Sequence, residues 1–393
     1  MLIVNYDILR YWTRALRARG LRAVVFDESQ YLKNHKAQRT EAARQLAKGI
    51  PYRLALSASP VLNRPQELLS QLDILGQLDA LGGFWDFAKR YCDARRDGPF
   101  WDLSGAANLA ELNTRLRATC FIRRTKGEVV ADLPAKYRAV VPMEIANRDE
   151  YASAESELVR RLLKEQAEFH ARLPDEPVFL QTKLRHRWDE AMSTRAGRGG
   201  SIPVQIDFLK RLVALGKLPA VFEWVEDFLA TGEKLVLFAW HREVLAELAE
   251  HFAAPLFAGD TPPAERQALV DRFQMDPGCQ LLILSLNTGS LGLTLTAASN
   301  VAFVELGWTP AIHAQAEDRL HRLSQFRPVT VWYLLASNTI DDDIYALLES
   351  KRAVVEGATD GGELRMALIA RLRQRSYAAG LSPSKGYAEN DEE

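Results

Sequence analysis

The chain is 393 residues long and 47% hydrophobic, with 50 lysines and arginines against 51 aspartates and glutamates. Its length and apolar content suit two or three globular domains with buried cores. The balanced charge excludes nucleic-acid binding by overall basicity, so any such surface must be a local cluster of cations.

Met1-Leu2-Ile3-Val4 leads directly into Asn5-Tyr6-Asp7 without a cationic leader, and no apolar run approaches the roughly 18 residues of a membrane span. Cys92, Cys120 and Cys279 are too scattered for a disulfide framework or a zinc site. The expectation is an intracellular chain, cytoplasmic or nucleoid, with reduced thiols and no membrane partner. In chain order, Ala23-Val24-Val25-Phe26 and Tyr52-Arg53-Leu54-Ala55-Leu56-Ser57 predict buried strands, with a helix over 36–48 between them. From about Arg64 to Ala230 the pattern turns helical and charged, broken by extended pieces such as Arg138-Ala139-Val140-Val141 and by a glycine-rich loop, Arg195 to Pro203. Strand patterns then return at 234–239, 280–285, 300–304 and 329–334, with helices between. A last helix is expected near Glu363 to Arg375, and a disordered acidic tail from Ser382. Alternation of this kind defines an α/β fold with parallel sheets. The expected division is a first lobe at 1–135, a helical protrusion or linker at 136–215, a second lobe at 216–350, and a terminal helix and tail at 351–393.

Ligands of parallel sheets gather at the carboxyl ends of the strands. Asp27 and Glu28 follow the first strand there, where Asp27 can hold Mg²⁺ through water and Glu28 can orient and deprotonate an attacking water. The same pair would also serve as an acidic turn capping the next helix. Ser57 and Ser59 end the second strand with hydroxyls suited to bonding Asp27 or Gln30, although small hydroxyls before Pro60 are also ordinary turn chemistry. In the second zone Gly289 and Gly292 open a turn whose amides favour anions, as a generic strand-to-helix turn would. Arg319 and Arg322, three residues apart, are expected on one helical face with Asp318 holding one of them. Such a pair can reach a polyphosphate, or it can be a solvated face. Lys183, Arg185, Arg187, Arg195 and Arg198 form a further group of cations, diluted by Asp189 and Glu190.

Taken together, these segments resemble the two-lobed ATPase engine of the Swi/Snf-like proteins, a branch of the superfamily-two helicases, and its bacterial and annealing-helicase-like members. Val4 to Leu9 looks like motif Ib, Asp27-Glu28-Ser29-Gln30 with Leu32-Lys33-Asn34 like motif II, and Leu56 to Pro60 like motif III. Phe121 to Lys126 with Leu133-Pro134 resembles the element closing the first lobe. Val236 to His241 is similar to motif IV and Leu284 to Leu295 to motif V, while Gln315 to Gln325 resembles motif VI. The resemblance implies two RecA-like lobes, ATP and Mg²⁺ as cofactors, and duplex or branched DNA as partner. In that scheme Asp27, Glu28, Arg319 and Arg322 are catalytic, the arginines acting as fingers. Gln30, Ser57, Ser59, Gly292 and Gln315 sense the nucleotide state, and Asn5, Tyr6, Trp240, His241, Ser285 and Asn287 hold DNA.

Two departures are mild: Ser324 stands where a glycine is usual, and Ser290 lies within the glycine turn. A larger one is the lack of any Gly-x-x-x-x-Gly-Lys-Ser/Thr segment for the phosphates. Since the chain opens at motif Ib, the resemblance implies a first lobe that is incomplete and an engine inactive alone. A non-catalytic DNA-binding remnant, or one half of a split motor with a partner chain carrying the phosphate loop, is the alternative.

Overall fold

The computed structural model describes residues 1–57, 65–97, 100–103, 105–122, 124, 126–130, 132–172, 202–288, 292–354, 368, 371 and 372. Residues 195–201 of the expected glycine-rich loop, the cations from Lys183 to Arg198, Ser59, residues 289–291, the acidic tail and nearly all of the expected last helix lie outside these residues. The chain divides into two compact units, Met1–Arg124 and Thr125–Glu393. No described helix is long and apolar enough to cross a membrane.

In the first unit, strands β1 (Ala23–Phe26) and β2 (Tyr52–Ala55) pair in parallel, Phe26 opposite Ala55. Asn5 caps the helix Tyr6–Arg17, which packs against the helix Gln38–Ala47. Strand alternation turns Val24 and Phe26 toward a core of Leu9, Leu16, Leu32, Ala43 and Leu46. Val25 and Leu54, on the other face, are about half exposed, at 54% and 51%. A second core, with Leu72, Phe87, Tyr91 and Leu116 at its centre, joins the helices Gln66–Leu75, Gly83–Tyr91 and Leu109–Thr119. Beside it lies an antiparallel hairpin, β3 (Arg95–Asp97) and β4 (Phe100–Asp102).

The second unit is built on a six-stranded sheet comprising β5 (Lys136–Met143), β6 (Leu235–Ala239), β7 (Leu256–Phe257), β8 (Leu281–Ser285), β9 (Asn300–Phe303) and β10 (Val329–Ala336). Its order is β5-β10-β9-β6-β8-β7, and every pairing is parallel. β6, β8 and β9 are buried along their whole length, and their near-continuous apolar sequences are what a sheet covered on both faces requires. Alternation divides β6 between two cores. Val236 and Phe238 pack with Leu209 and Ile344, while Leu235 and Leu237 pack with Val225 and Leu248.

The α/β class with parallel sheets is therefore observed, but its partition differs from that read in the sequence. Residues 136–143, assigned there to the helical connector, form an edge strand of the second sheet. The helices Arg148–Arg172 and Ile202–Gly216 contribute Tyr151, Leu158, Ile206 and Leu209 to the same core instead of protruding from it. The reason is physical: an edge strand needs little hydrophobicity on its open side and carries charge there, so Lys136-Tyr137-Arg138 does not resemble the buried strands.

Candidate catalytic and DNA-contact residues

β1 ends at Phe26 and delivers Asp27 and Glu28 at its carboxyl edge. Glu28 adopts φ 48°, ψ 51°, a left-handed conformation that side chains with a Cβ seldom take and that concentrates at functional sites. The turn is stitched to the end of β2, with Leu56 N–H donating to Phe26 O (2.8 Å) and Ser29 N–H to Leu56 O (2.9 Å). Side chains follow the same path. Ser57 Oγ–H donates to Gln30 Oε1 (2.6 Å), and Gln30 Nε2–H donates to Glu28 Oε2 (2.5 Å). Three of the residues named from sequence thus form one hydrogen-bonded chain from the end of β2 to the Glu28 carboxylate. Asp27 is exposed, and its Oδ1 accepts the Glu28 N–H at 3.0 Å.

Tyr6 and Asn5 have duties inside the protein. Tyr6 O–H donates to the Asp27 carbonyl at 2.7 Å, and burial together with the Asp27 and Glu28 carboxylates pushes its phenol above the usual range. Asn5 Oδ1 accepts the Asp7 N–H at 3.1 Å as a helix cap.

In the second unit, Trp240 and His241 follow β6, and their positions are set by Glu305, a buried residue just beyond β9 that sequence reasoning did not single out. Glu305 Oε2 accepts the backbone N–H groups of Trp240 (2.7 Å) and His241 (2.9 Å), and Oε1 pairs with His241 Nδ1. Asp207 Oδ2 lies 3.9 Å from His241 Nε2. Burial opposes charge on this imidazole, but the carboxylates of Asp207 and Glu305 outweigh it and raise its pKa to about 9. Lys210 stands over the rings of Trp240 (5.2 Å) and Trp308 (4.4 Å) while donating to Leu306 O at 2.7 Å. The only advance signal for Glu305 was its place, an acid immediately after an apolar strand.

Ser285 is buried at the end of β8, and Asn287, just beyond, is exposed. Gly292 is exposed, and among the described residues nothing lies within 4 Å of where a Cβ would stand. Gln315 is half-buried on the helix Pro310–Glu317. The arginines, however, are not on a helical face. The helix stops at Glu317, and Arg319 and Arg322 lie in the turns that follow. The Arg319 carbonyl is taken by Leu295 N–H (2.9 Å), and Gln325 Nε2 donates to Ala298 O (2.8 Å), so the segment is laced to residues 295–298 instead of continuing the spiral. Arg319 is buried, and Arg322 Nη1–H donates to Thr294 Oγ1 at 2.8 Å. Arg322 Nε–H reaches the backbone carbonyl of Asp318 (3.2 Å), while the Asp318 carboxylate faces Lys136 Nζ at 3.7 Å. Asp318 thus holds Arg322 through its backbone carbonyl, and Arg322 stands beside Thr294, two residues after Gly292.

Glu317 ties this segment to the edge of the sheet. It is fully buried and bonded to Arg138 Nη2 (2.7 Å), Lys136 Nζ (2.7 Å) and Tyr333 O–H (3.1 Å). Burial raises its pKa, but the hydrogen bond from Arg138 and the charges of Lys136 and Arg138 prevail and hold it at about 2. His321 Nε2 meets Pro134 O at 2.7 Å, a second tie to the segment that leads into β5.

An acidic turn thus stands at the carboxyl edge of one parallel sheet, and an arginine segment follows a helix beside another. Comparison with known proteins agrees: residues 1–191 match the SNF2-related domain and residues 220–324 the helicase conserved C-terminal domain. The chain belongs to the Swi/Snf-like family. It is 32% identical over 362 residues to the SWI/SNF-related matrix-associated actin-dependent regulator of chromatin subfamily A-like protein 1 of Xenopus tropicalis, covering 90% of this chain and 35% of that protein. It is also 30% identical over 397 residues to the DNA annealing helicase and endonuclease ZRANB3 of Mus musculus, covering 95% of this chain and 34% of that one. The chain thus spans about a third of the length of these relatives. Similar solved structures include the C-terminal part of the Fun30 ATPase domain, at 19% identity and a TM-score of 0.44, covering 63% of this chain and 99% of that one. Another is the Sulfolobus solfataricus SWI2/SNF2 ATPase core in complex with dsDNA, at 21% identity and a TM-score of 0.40, covering 96% and 75%.

Proposed function

We propose that this chain is the part of a DNA-stimulated, Swi/Snf-like ATPase that carries the water-activating acid and the arginine segment, and that it acts on duplex or branched DNA. The observation supporting this most directly is the Ser57–Gln30–Glu28 hydrogen-bonded chain, which ends on a carboxylate held in a left-handed turn. In this reading Glu28 takes the proton of the attacking water. Gln30 and Ser57 hold the carboxylate in place and report the position of β2. Arg319 and Arg322 neutralise charge developing on the transferred phosphoryl group, and Gln315 and Gly292 respond to the state of the nucleotide. Trp240, His241 and Asn287 meet the phosphate backbone of DNA.

Asp27 suits Mg²⁺ held through water: it is an exposed carboxylate with one oxygen engaged by a backbone amide. Mg²⁺, when bound with the nucleotide, supplies charge neutralisation between the phosphates. The residues present do not complete a phosphate cradle. Gly216-Lys217 is followed by Leu218, and Lys217 Nζ is already bonded to Asp341 and to Leu334 O (2.8 Å). The cradle is therefore assigned either to a segment upstream of Met1 or to a partner chain. The half-exposed apolar side chains Val25 and Leu54 favour such a neighbour against β1 and β2.

The test is ATP hydrolysis by the 393-residue chain with and without duplex DNA, beside the same chain extended upstream. Near-inactivity of the first and DNA-stimulated turnover of the second, abolished by Glu28→Gln, is the expected pattern. Turnover by the shorter chain that Glu28→Gln removes would refute the need for an outside cradle. DNA binding without hydrolysis in either form would favour the alternative, a non-catalytic DNA-binding remnant.

A further inference from the structure

Phe84, Trp85 and Trp101 form a contiguous cluster of rings on the first unit, each more than 40% exposed. Phe84 and Trp85 meet edge to face at 5.2 Å, and Trp85 and Trp101 meet tilted, at 5.1 Å and 54°. Single exposed aromatics are common, but a contiguous row of three on a surface marks a place where something docks. The underside is rigid. On the helix Gly83–Tyr91, Phe87 and Tyr91 are fully buried and in ring contact at 5.1 Å, and Tyr91 O–H donates to Glu111 Oε1 at 2.9 Å.

The charges around the rings are sorted. In the hairpin, Arg96 is directly opposite Trp101, so both point to the same face, while the neighbouring cross-strand pair, Arg95 and Asp102, points to the other. Arg95 is bonded to Asp93 at 2.6 Å. Lys89 is exposed one helical turn beyond Trp85, on its side of the helix. Asp86, next to Trp85 in the chain, is turned back onto Gly82, where a Cβ would stand 3.2 Å from its Oδ2. Arg90, next to Lys89, is paired with Glu111. The face that carries the rings therefore also carries two cations, Lys89 and Arg96, with no ion pair to either among the described residues.

We infer that this face binds unpaired nucleotides, with Phe84, Trp85 and Trp101 stacking on bases and Arg96 and Lys89 meeting the adjoining phosphates. Flat aromatic surfaces flanked by cations are complementary to single strands, because every base has a π-face while only an unpaired one can offer it to a protein. The inference rests on the DNA-acting function proposed above and sharpens it. A motor whose first unit grips an unpaired strand would act where duplex and single strand meet.

The experiment is fluorescence anisotropy of the full chain with a labelled oligothymidylate of about ten nucleotides and, separately, a labelled duplex of about 20 base pairs. The double variant Trp85→Ala, Trp101→Ala is expected to lose about 10-fold to 100-fold in single-strand affinity while duplex affinity changes less than about twofold. Trp101→Phe, which keeps a ring, should retain most single-strand binding. Arg96→Ala should lower the slope of log affinity against log salt by about 0.7. Unchanged single-strand binding by the folded double variant would overturn the inference and leave the rings as a docking face for protein. Wild-type binding to duplex alone would overturn it while leaving the DNA-acting function standing, and binding to neither form would overturn both. Patch-dependent single-strand binding by a chain that shows no hydrolysis even when extended upstream would uphold the patch and refute the motor.

Discussion

Glu28 illustrates how one residue can be placed by its neighbours. Its left-handed backbone costs on the order of 1 kcal/mol, and the bonds from Gln30 and from Asp27's own carboxylate to the turn offset part of it. Gln30→Ala removes both links of the relay. In the hydrolysis-competent extended chain it should lower kcat by about 10-fold or more with little change in KM for ATP; a change confined to KM would assign Gln30 to binding instead. Arg322→Ala should slow hydrolysis by about 10³-fold, and an unchanged rate in the same assay would remove it from the finger role. His241 gives a pH signature. Its folded pKa of about 9 lies above the ordinary imidazole value of 6.5, so its contribution is fully present below about 6.5 and is lost as pH rises through 9. The groups facing it are Glu305, Asp207 and Lys210. Thermal melts should show the wild type losing stability across that window, and Glu305→Gln should flatten the profile.

At the scale of elements, the arginine segment is a helix end fixed from two directions, residues 294–298 on one side and the start of β5 on the other. Glu317→Gln would leave Lys136 and Arg138 without their shared anion, at a cost of about 3 kcal/mol, measurable by urea denaturation of the second unit. The wild type should lose this contribution as pH falls from 4.5 toward 2, the unfolded and folded values of Glu317, and the Gln variant should not. A second element contact depends on a glycine. At Gly216 a Cβ would stand 1.8 Å from Asn147 Oδ1, and that amide is held by its bond to Leu212 O at 3.0 Å. Gly216→Ala should therefore destabilise the unit by about 1–3 kcal/mol in the same assay. Much of this level was legible beforehand. The buried strands β6, β8 and β9 were visible as apolar runs because both their faces are covered, and the Ser57–Gln30 contact followed from strand order. β5 was not, since an edge strand with Lys136 and Arg138 has no such run. Nor was the end of the helix at Glu317, where tertiary hydrogen bonds from Leu295 and Gln325 override a sequence with good helical spacing. Glu305 and Glu317 were missed for a related reason, because a buried carboxylate is recognised only from its partners, and these are 64 and 179 residues away in the chain.

On the scale of the molecule, each unit has cores of its own among the described residues. The second, with its complete sheet, should fold by itself: residues 126–372 produced alone are expected to unfold cooperatively, and amide exchange should find its slowest protons in β6, β8 and β9. Absence of a cooperative transition would show that the unit depends on the first. The covalent path between the units ends in β5, which lies parallel to β10 over eight residue pairs from Lys136 to Met143. Tension arriving along the chain at Pro134 would thus pull along the strand axis and load those pairs together, in shear, instead of opening them one at a time. At the entry to the strand stand Pro134, Lys136 and Arg138, the three points bonded to His321 and Glu317. The edge strand is in this sense a tether whose anchorage is the arginine segment itself, so that strain in the connection is felt first by the residues that would complete the reaction.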